Sequence, residues 1–181
     1  MLSAALALSA CNTSDGKSKA TDETSSAAPT PTATTAPTQS NDPMAAPKAA
    51  VLEAYNSFWD EQVKAYAKGD TEGTDFGRYA AALALSSTKR DLKDLRSKGI
   101  VATGSPSHNV DVTQIDVTAQ VPKARLTDCL DISAWTLIYS ESGKSVEMPE
   151  KRLTRYVNQI KAEKWGKQWK IVDVTPEQQA C

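Results

Sequence analysis

From Pro47 to Lys68 the apolar residues recur at steps of three and four. Leu52, Tyr55, Trp59, Val63 and Tyr66 form the stripe, and Val51 and Phe58 widen it. That period places one apolar face on a helix, and the aromatic stripe reads as core. Pro47 suits the first turn and Gly69 a left-handed stop. Lys64 and Lys68 bring positive charge to the favourable end. Asp70 to Asp75 reads as a polar turn. A second helix is expected from Asp75, which can cap it, with Phe76, Tyr79, Ala80, Leu83 and Ala84 inside. Ser86-Ser87-Thr88 is expected to interrupt that helix, with Ser87 or Thr88 capping a third. The third helix runs through Leu92 and Leu95 to Lys98 and stops at Gly99. Its outer face mixes Lys89, Arg90, Lys93, Arg96 and Lys98 with Asp91 and Asp94, which reads as a solvated surface.

Beyond Ile100 the period changes to alternation. Ile100 to Thr103 is a short strand ended by Gly104-Ser105-Pro106. Val110 and Val112 alternate on one parity, and Ile115, Val117, Ala119 and Val121 on the other. A slip of phase near Thr113-Gln114 is what a β-bulge produces. After a turn at Pro122-Lys123, Ala124 to Asp131 forms the next strand and Trp135 to Tyr139 another. A Gly-containing hairpin loop covers Ser140 to Lys144. Val146 to Ala162 reads as a long charged strand interrupted near Pro149. A turn over Lys164 to Gln168 then leads to a closing strand, Trp169 to Val174, ended by Pro176. Helices followed by a run of antiparallel strands make an α+β plan.

Composition divides the chain. Residues 12–47 are rich in Ser, Thr, Ala and Pro and carry no aromatic residue. Such a tract cannot bury enough surface to offset its ordering entropy, so it is expected to be a disordered, extended spacer. Every aromatic residue lies from Tyr55 to Trp169, so the folded domain is placed at 48–181. Net charge is −1, with no long basic block, and no nucleic-acid partner is implied. A metal centre needs about four ligands at suitable spacing. The chain has a single His, and neither a metal nor a cofactor is expected.

The N-terminus carries a separate signal. Met1 to Ala7 is apolar, and Leu8-Ser9-Ala10-Cys11 follows, with no Lys or Arg before it. The tetrad resembles the lipobox of bacterial lipoproteins, of an actinobacterial type. The resemblance implies a signal peptide over 1–10, cleaved after Ala10, and a diacylglyceryl thioether on Cys11. It further implies residence on the extracytoplasmic face of the cell membrane, because two or more acyl chains hold a protein on a bilayer. With Cys11 lipidated, Cys129 and Cys181 remain, an even number in an oxidising compartment, and they are expected to pair. That link would pin the tail across the sheet and close a loop worth roughly 4 kcal/mol of chain entropy.

The order of elements also resembles a family. A long first helix with Tyr55, Phe58 and Trp59, a bulged antiparallel sheet, and Trp169-Lys170-Ile171-Val172 after a Gly turn are similar to the NTF2-like cone fold, over about residues 49–175. The resemblance implies N-terminal helices packed in a curved sheet. It does not choose a function, because the fold hosts isomerases, dehydratases, pocket binders and interaction domains.

Two functional readings stand. The first is a non-catalytic domain that binds a protein or small molecule of unknown identity. The second is a secreted isomerase- or hydrolase-type enzyme using carboxylates in the cone. Asp111, Asp116, Asp128 and Asp131 are its candidates, since two inward carboxylates held at different pKa values can act as acid and base. Alternation leaves the direction of Asp128 open, and exposed strand charge is the expected outcome. His108, at a strand start, is expected to be a surface residue on a rim. No Ser/His/Asp order or Gly-rich phosphate loop is present, so the first reading is preferred and no catalytic residue is assigned. A cone plugged by Trp135, Tyr139, Trp165 or Trp169 would point to a structural or protein-contact role. An open pocket would point to a binder or an enzyme.

Overall fold

The structure, a computed structural model, describes residues 42–181. The expected signal segment, the lipidation site at Cys11 and the spacer as far as residue 41 lie outside the described residues.

Helix α1 (Ala45–Lys68) begins slightly before the expected start and takes Pro47 into its first turn, where a missing N–H costs nothing. Asp42 prepares that start: its carboxylate accepts from the Met44 N–H at 2.8 Å and from Lys48 Nζ at 3.3 Å. Gly69, at φ 76°, ends the helix, and its N–H closes on the Ala65 carbonyl. Glu61 is buried on this helix. It accepts from Lys64 Nζ at 2.6 Å and from the Asp75 N–H at 2.7 Å, which ties the following turn to the helix.

The next two helices divide at a different place from the one expected. Helix α2 (Phe76–Tyr79) is a single turn, and α3 (Ala82–Ser97) runs straight through Ser86-Ser87-Thr88. The break falls at Ala80-Ala81. Ala80 bridges to Ile171, and the Ala81 N–H donates to the Ile171 carbonyl at 2.9 Å. Docking of this backbone onto the sheet overrides the local helical pattern. Ser86 stays helical by donating back to the Leu83 carbonyl, and Thr88 is buried on the inner face with Ala84 and Leu92. Leu83, expected inside, is 62% exposed. Ala82 has φ 46°, a conformation that costs a residue with a Cβ about 1 kcal/mol or more.

The strands are β1 (Ile100–Thr103), β2 (Ser107–Asp116), β3 (Lys123–Asp131), β4 (Thr136–Tyr139), β5 (Arg155–Trp165) and β6 (Gln168–Pro176). The order β2-β3-β5-β6 makes one antiparallel sheet, and β1 pairs antiparallel with β4 in a second, two-stranded one. The architecture is α+β, as expected. The predicted bulge is present between Val112 and Gln114, and it keeps Val110, Val112 and Ile115 on the core side. A second bulge lies between Lys161 and Ala162.

Two strands are shorter than expected. β2 ends at Asp116, whose carboxylate accepts from the Thr118 and Ala119 N–H groups and starts a turn, leaving Val117 and Val121 exposed. The expected strand from Val146 begins only at Arg155. Gly104, at φ 77°, ends β1 where a Cβ would collide with the Ala134 carbonyl oxygen.

The core lies between α1 and the inner face of the larger sheet. Val51, Tyr55 and Phe58 of α1 meet Leu126 and Leu130 of β3, Ile160 of β5 and Ile171 of β6, with Phe76 beside them. Each such side chain contributes roughly 1.5–3 kcal/mol through its burial. On the outer face Cys129 and Cys181 form a disulfide across a separation of 52 residues. The tail runs beside β5, where Glu177 N–H donates to the Val157 carbonyl and Val157 N–H to that of Gln179, before Cys181 reaches β3.

Candidate binding site

The site is built where α1 crosses the middle of the sheet. In β3 the buried positions are Ala124, Leu126, Asp128 and Leu130, a strict alternation. Asp128 is therefore an inner-face residue, and it is fully buried. This corrects the expectation of an exposed strand charge. The parity of Leu126 and Leu130 carried the signal, because a side chain between two core residues of one parity must share their face.

A carboxylate this deep needs partners. Asp128 has three: Oδ2 accepts from the Tyr55 hydroxyl at 2.7 Å and lies 2.9 Å from His108 Nδ1, and Oδ1 accepts from the Asn109 N–H at 2.9 Å. Burial, followed by the hydrogen bond to Asp128, pushes the Tyr55 hydroxyl far above the ordinary tyrosine range, which keeps it a donor. The His108 side chain is 19% exposed and does not stand out as a rim residue. Its ring centroid is 4.7 Å from that of Trp59 and 5.6 Å from that of Tyr55. The other candidate carboxylates are not brought together with it. Asp116 and Asp131 receive the N–H groups of nearby turns, and Asp111 is exposed.

Directly opposite Asp128 in the sheet register is Asn158 of β5. It is 2% exposed, and its side-chain carbonyl has no hydrogen-bond partner; the same holds for the indole N–H groups of Trp59 and Trp135. Sequence reasoning missed Asn158, although Asn158, Ile160 and Ala162 alternate in β5 as the core residues do in β3.

These unpartnered groups border one cavity of about 230 Å³ between α1, α3 and the sheet. Trp59, Gln62 and Tyr66 line it from α1, Asp91 from α3, and Tyr156 and Asn158 from β5. Trp135 also lines it. A wider cleft of about 360 Å³ adjoins and shares Tyr66, Asp91 and Trp135. Of the four residues expected as possible plugs, Trp135 alone faces this cavity. Tyr139 and Trp165 are largely exposed, and Trp169 is buried in the core. Tyr55, His108 and Asp128 do not line it; Trp59 stands between, touching His108 and contributing to the cavity wall. The arrangement can hold a small guest by ring contact, with the unpartnered Asn158 carbonyl and Trp135 indole N–H on residues of its wall.

Among the described residues no cluster of three or more His, Cys, Asp and Glu is placed to hold a metal ion. No helix among them is long and apolar enough to cross a membrane. No family model and no curated protein matches the sequence. Among solved structures, the chain is similar to the crystal structure of the intermembrane space region of the chloroplast protein ARC6. The TM-score is 0.45 at 11% identity, over 74% of this chain and 97% of that one.

Proposed function

We propose that the protein is a membrane-anchored extracytoplasmic lipoprotein whose folded domain is a non-catalytic, NTF2-like binding module. The observation that carries the binding part is the cavity lined by Asn158 and Trp135, each with a buried polar atom left unpartnered. Native proteins satisfy most buried polar groups, so a cluster of open ones around one cavity points to a guest. The NTF2-like assignment draws support from the 24-residue α1 laid against a sheet that carries two bulges. The anchor draws support from Leu8-Ser9-Ala10-Cys11, and the disulfide fits an oxidising compartment.

The Asp128–His108 pair, buried at its carboxylate and part-buried at its imidazole, favours a second reading, an enzyme using that pair as acid and base. Trp59 lies between the pair and the cavity, which favours binding over turnover. Membrane fractionation of cells expressing the wild type and Cys11→Ala tests the anchor. The variant is expected in the soluble fraction, and its full retention on membranes would reject lipidation. A ligand screen by Trp59 and Trp135 indole resonances tests the cavity, and the absence of any perturbing compound would reject the binding module.

A further inference from the structure

Five aromatic rings line the cavity: Phe58, Trp59, Tyr66, Trp135 and Tyr156. Trp135 meets Trp59 at 81° with centroids 6.0 Å apart, and meets Tyr66 at 62° and 5.0 Å. Edge-to-face rings form walls at an angle to one another, so a compact guest can touch more than one of them.

The charge on the lining has one sign. Asp91 and Asp173 are its charged residues, and no Lys or Arg lines it. Lys161 engages Asp173 at 2.8 Å, whereas Asp91 makes no ion pair among the described residues. Burial, with the Asp91 carboxylate beside it, pushes the Tyr66 hydroxyl above the ordinary range, so this ring stays uncharged next to an anion. Arg152 lies in the adjoining wider cleft, with Asp94 on the same lining. The negative faces of aromatic rings and the Asp91 carboxylate, which is hydrogen-bonded to the Tyr66 hydroxyl and has no cationic partner among the described residues, attract a positive guest and repel a negative one. The unpartnered Asn158 carbonyl and Trp135 indole N–H on the wall suit a guest that also carries polar atoms.

We propose that this cavity binds a small organic cation, an alkylated ammonium bearing a hydroxyl or carbonyl, with its charge among Trp59, Tyr66, Trp135 and Asp91 and its polar arm on Asn158. The proposal rests on the binding-module reading and gives it a ligand class. Asp91 is the exposed member of the set and supplies charge, while the rings supply contact.

The test uses the full chain carrying Cys11→Ala, with choline and its neutral isostere 3,3-dimethyl-1-butanol as probes. Binding is followed by calorimetry and by the indole resonances of Trp59 and Trp135. Choline is expected to bind roughly tenfold more tightly than the alcohol. Asp91→Asn is expected to weaken choline several-fold while leaving the alcohol unchanged, and Trp135→Leu to weaken both. Because Asp91 is exposed, its variant retains the fold. Equal affinity for the two probes would overturn the cation assignment and leave the binding module standing. If neither probe binds and a wider neutral and anionic set leaves both indole resonances unmoved, the cation assignment and the binding module both fail.

Discussion

Asp128 and Asn158 face each other across two neighbouring strands, both on the inner side of the sheet and both buried. Asp128 is saturated, with a hydroxyl, an imidazole and a backbone amide around its two oxygens. Asn158 keeps a carbonyl with no partner. The first arrangement belongs to folding, because a saturated polar group locks α1, β2 and β3 into one geometry. The second leaves a buried acceptor unsatisfied, which weakens the fold, and under the proposed binding reading a guest would supply its partner. Two polar residues at equal depth thus differ in whether the fold itself satisfies them.

The contrast can be broken most directly at Asp128. Asp128→Ala strands a tyrosine hydroxyl, an imidazole nitrogen and a backbone N–H, and is expected to cost about 3–5 kcal/mol in urea unfolding. A loss below about 1 kcal/mol would show that the network is not structural. The outer face supplies a control for size: replacing Cys129 and Cys181 together by Ser is expected to cost about 2–4 kcal/mol by the same measurement. A third test uses alkaline pH. The hydroxyls of Tyr55, beside Asp128, and Tyr66, in the cavity wall, are both raised, chiefly by burial. A raised pKa gives stability that is complete below the unfolded value of about 10 and is lost as pH climbs toward the folded one. Phenolate absorbance should therefore show these tyrosines ionising only as the protein unfolds, with stability falling above about pH 10. Early ionisation of all five tyrosines would contradict their burial. The smallest effect is expected at the open site. Asn158→Leu should change stability by less than about 1 kcal/mol, or raise it, while abolishing ligand-induced shifts of the Trp59 indole. A large destabilisation would place Asn158 in the structural class with Asp128.

Much of the scaffold was legible because periodicity and turn chemistry agreed. The Tyr55-Phe58-Trp59 stripe, the Gly69 stop and the bulge before Gln114 all follow from local pattern. The helix break was not legible. It depends on Ala80 and Ala81 pairing with Ile171, some ninety residues away, and no local residue marks it. The start of β5 was not legible either: the bond from the Ile132 N–H to the Thr154 carbonyl is the last rung of the β3–β5 ladder, and the chain before it lies outside the sheet. The candidate site was half legible. Asp128 and Asn158 sit in alternations that reveal their face, but which polar group finds partners depends on Tyr55 and His108 arriving from other elements.

The Cys129–Cys181 bond makes the chain from β3 to the tail a covalent ring. Inside that ring lies the exposed, irregular segment from Ser140 to Thr154, with Lys144, Lys151 and Arg152 along it. A protease that cuts there opens the ring without releasing a fragment, and β5 and β6 remain held to β3 by their ladder and by the bond. A nicked molecule would run as one species until reduced and as two pieces afterwards. This amounts to tolerance of a single proteolytic cut in an exposed loop of the domain.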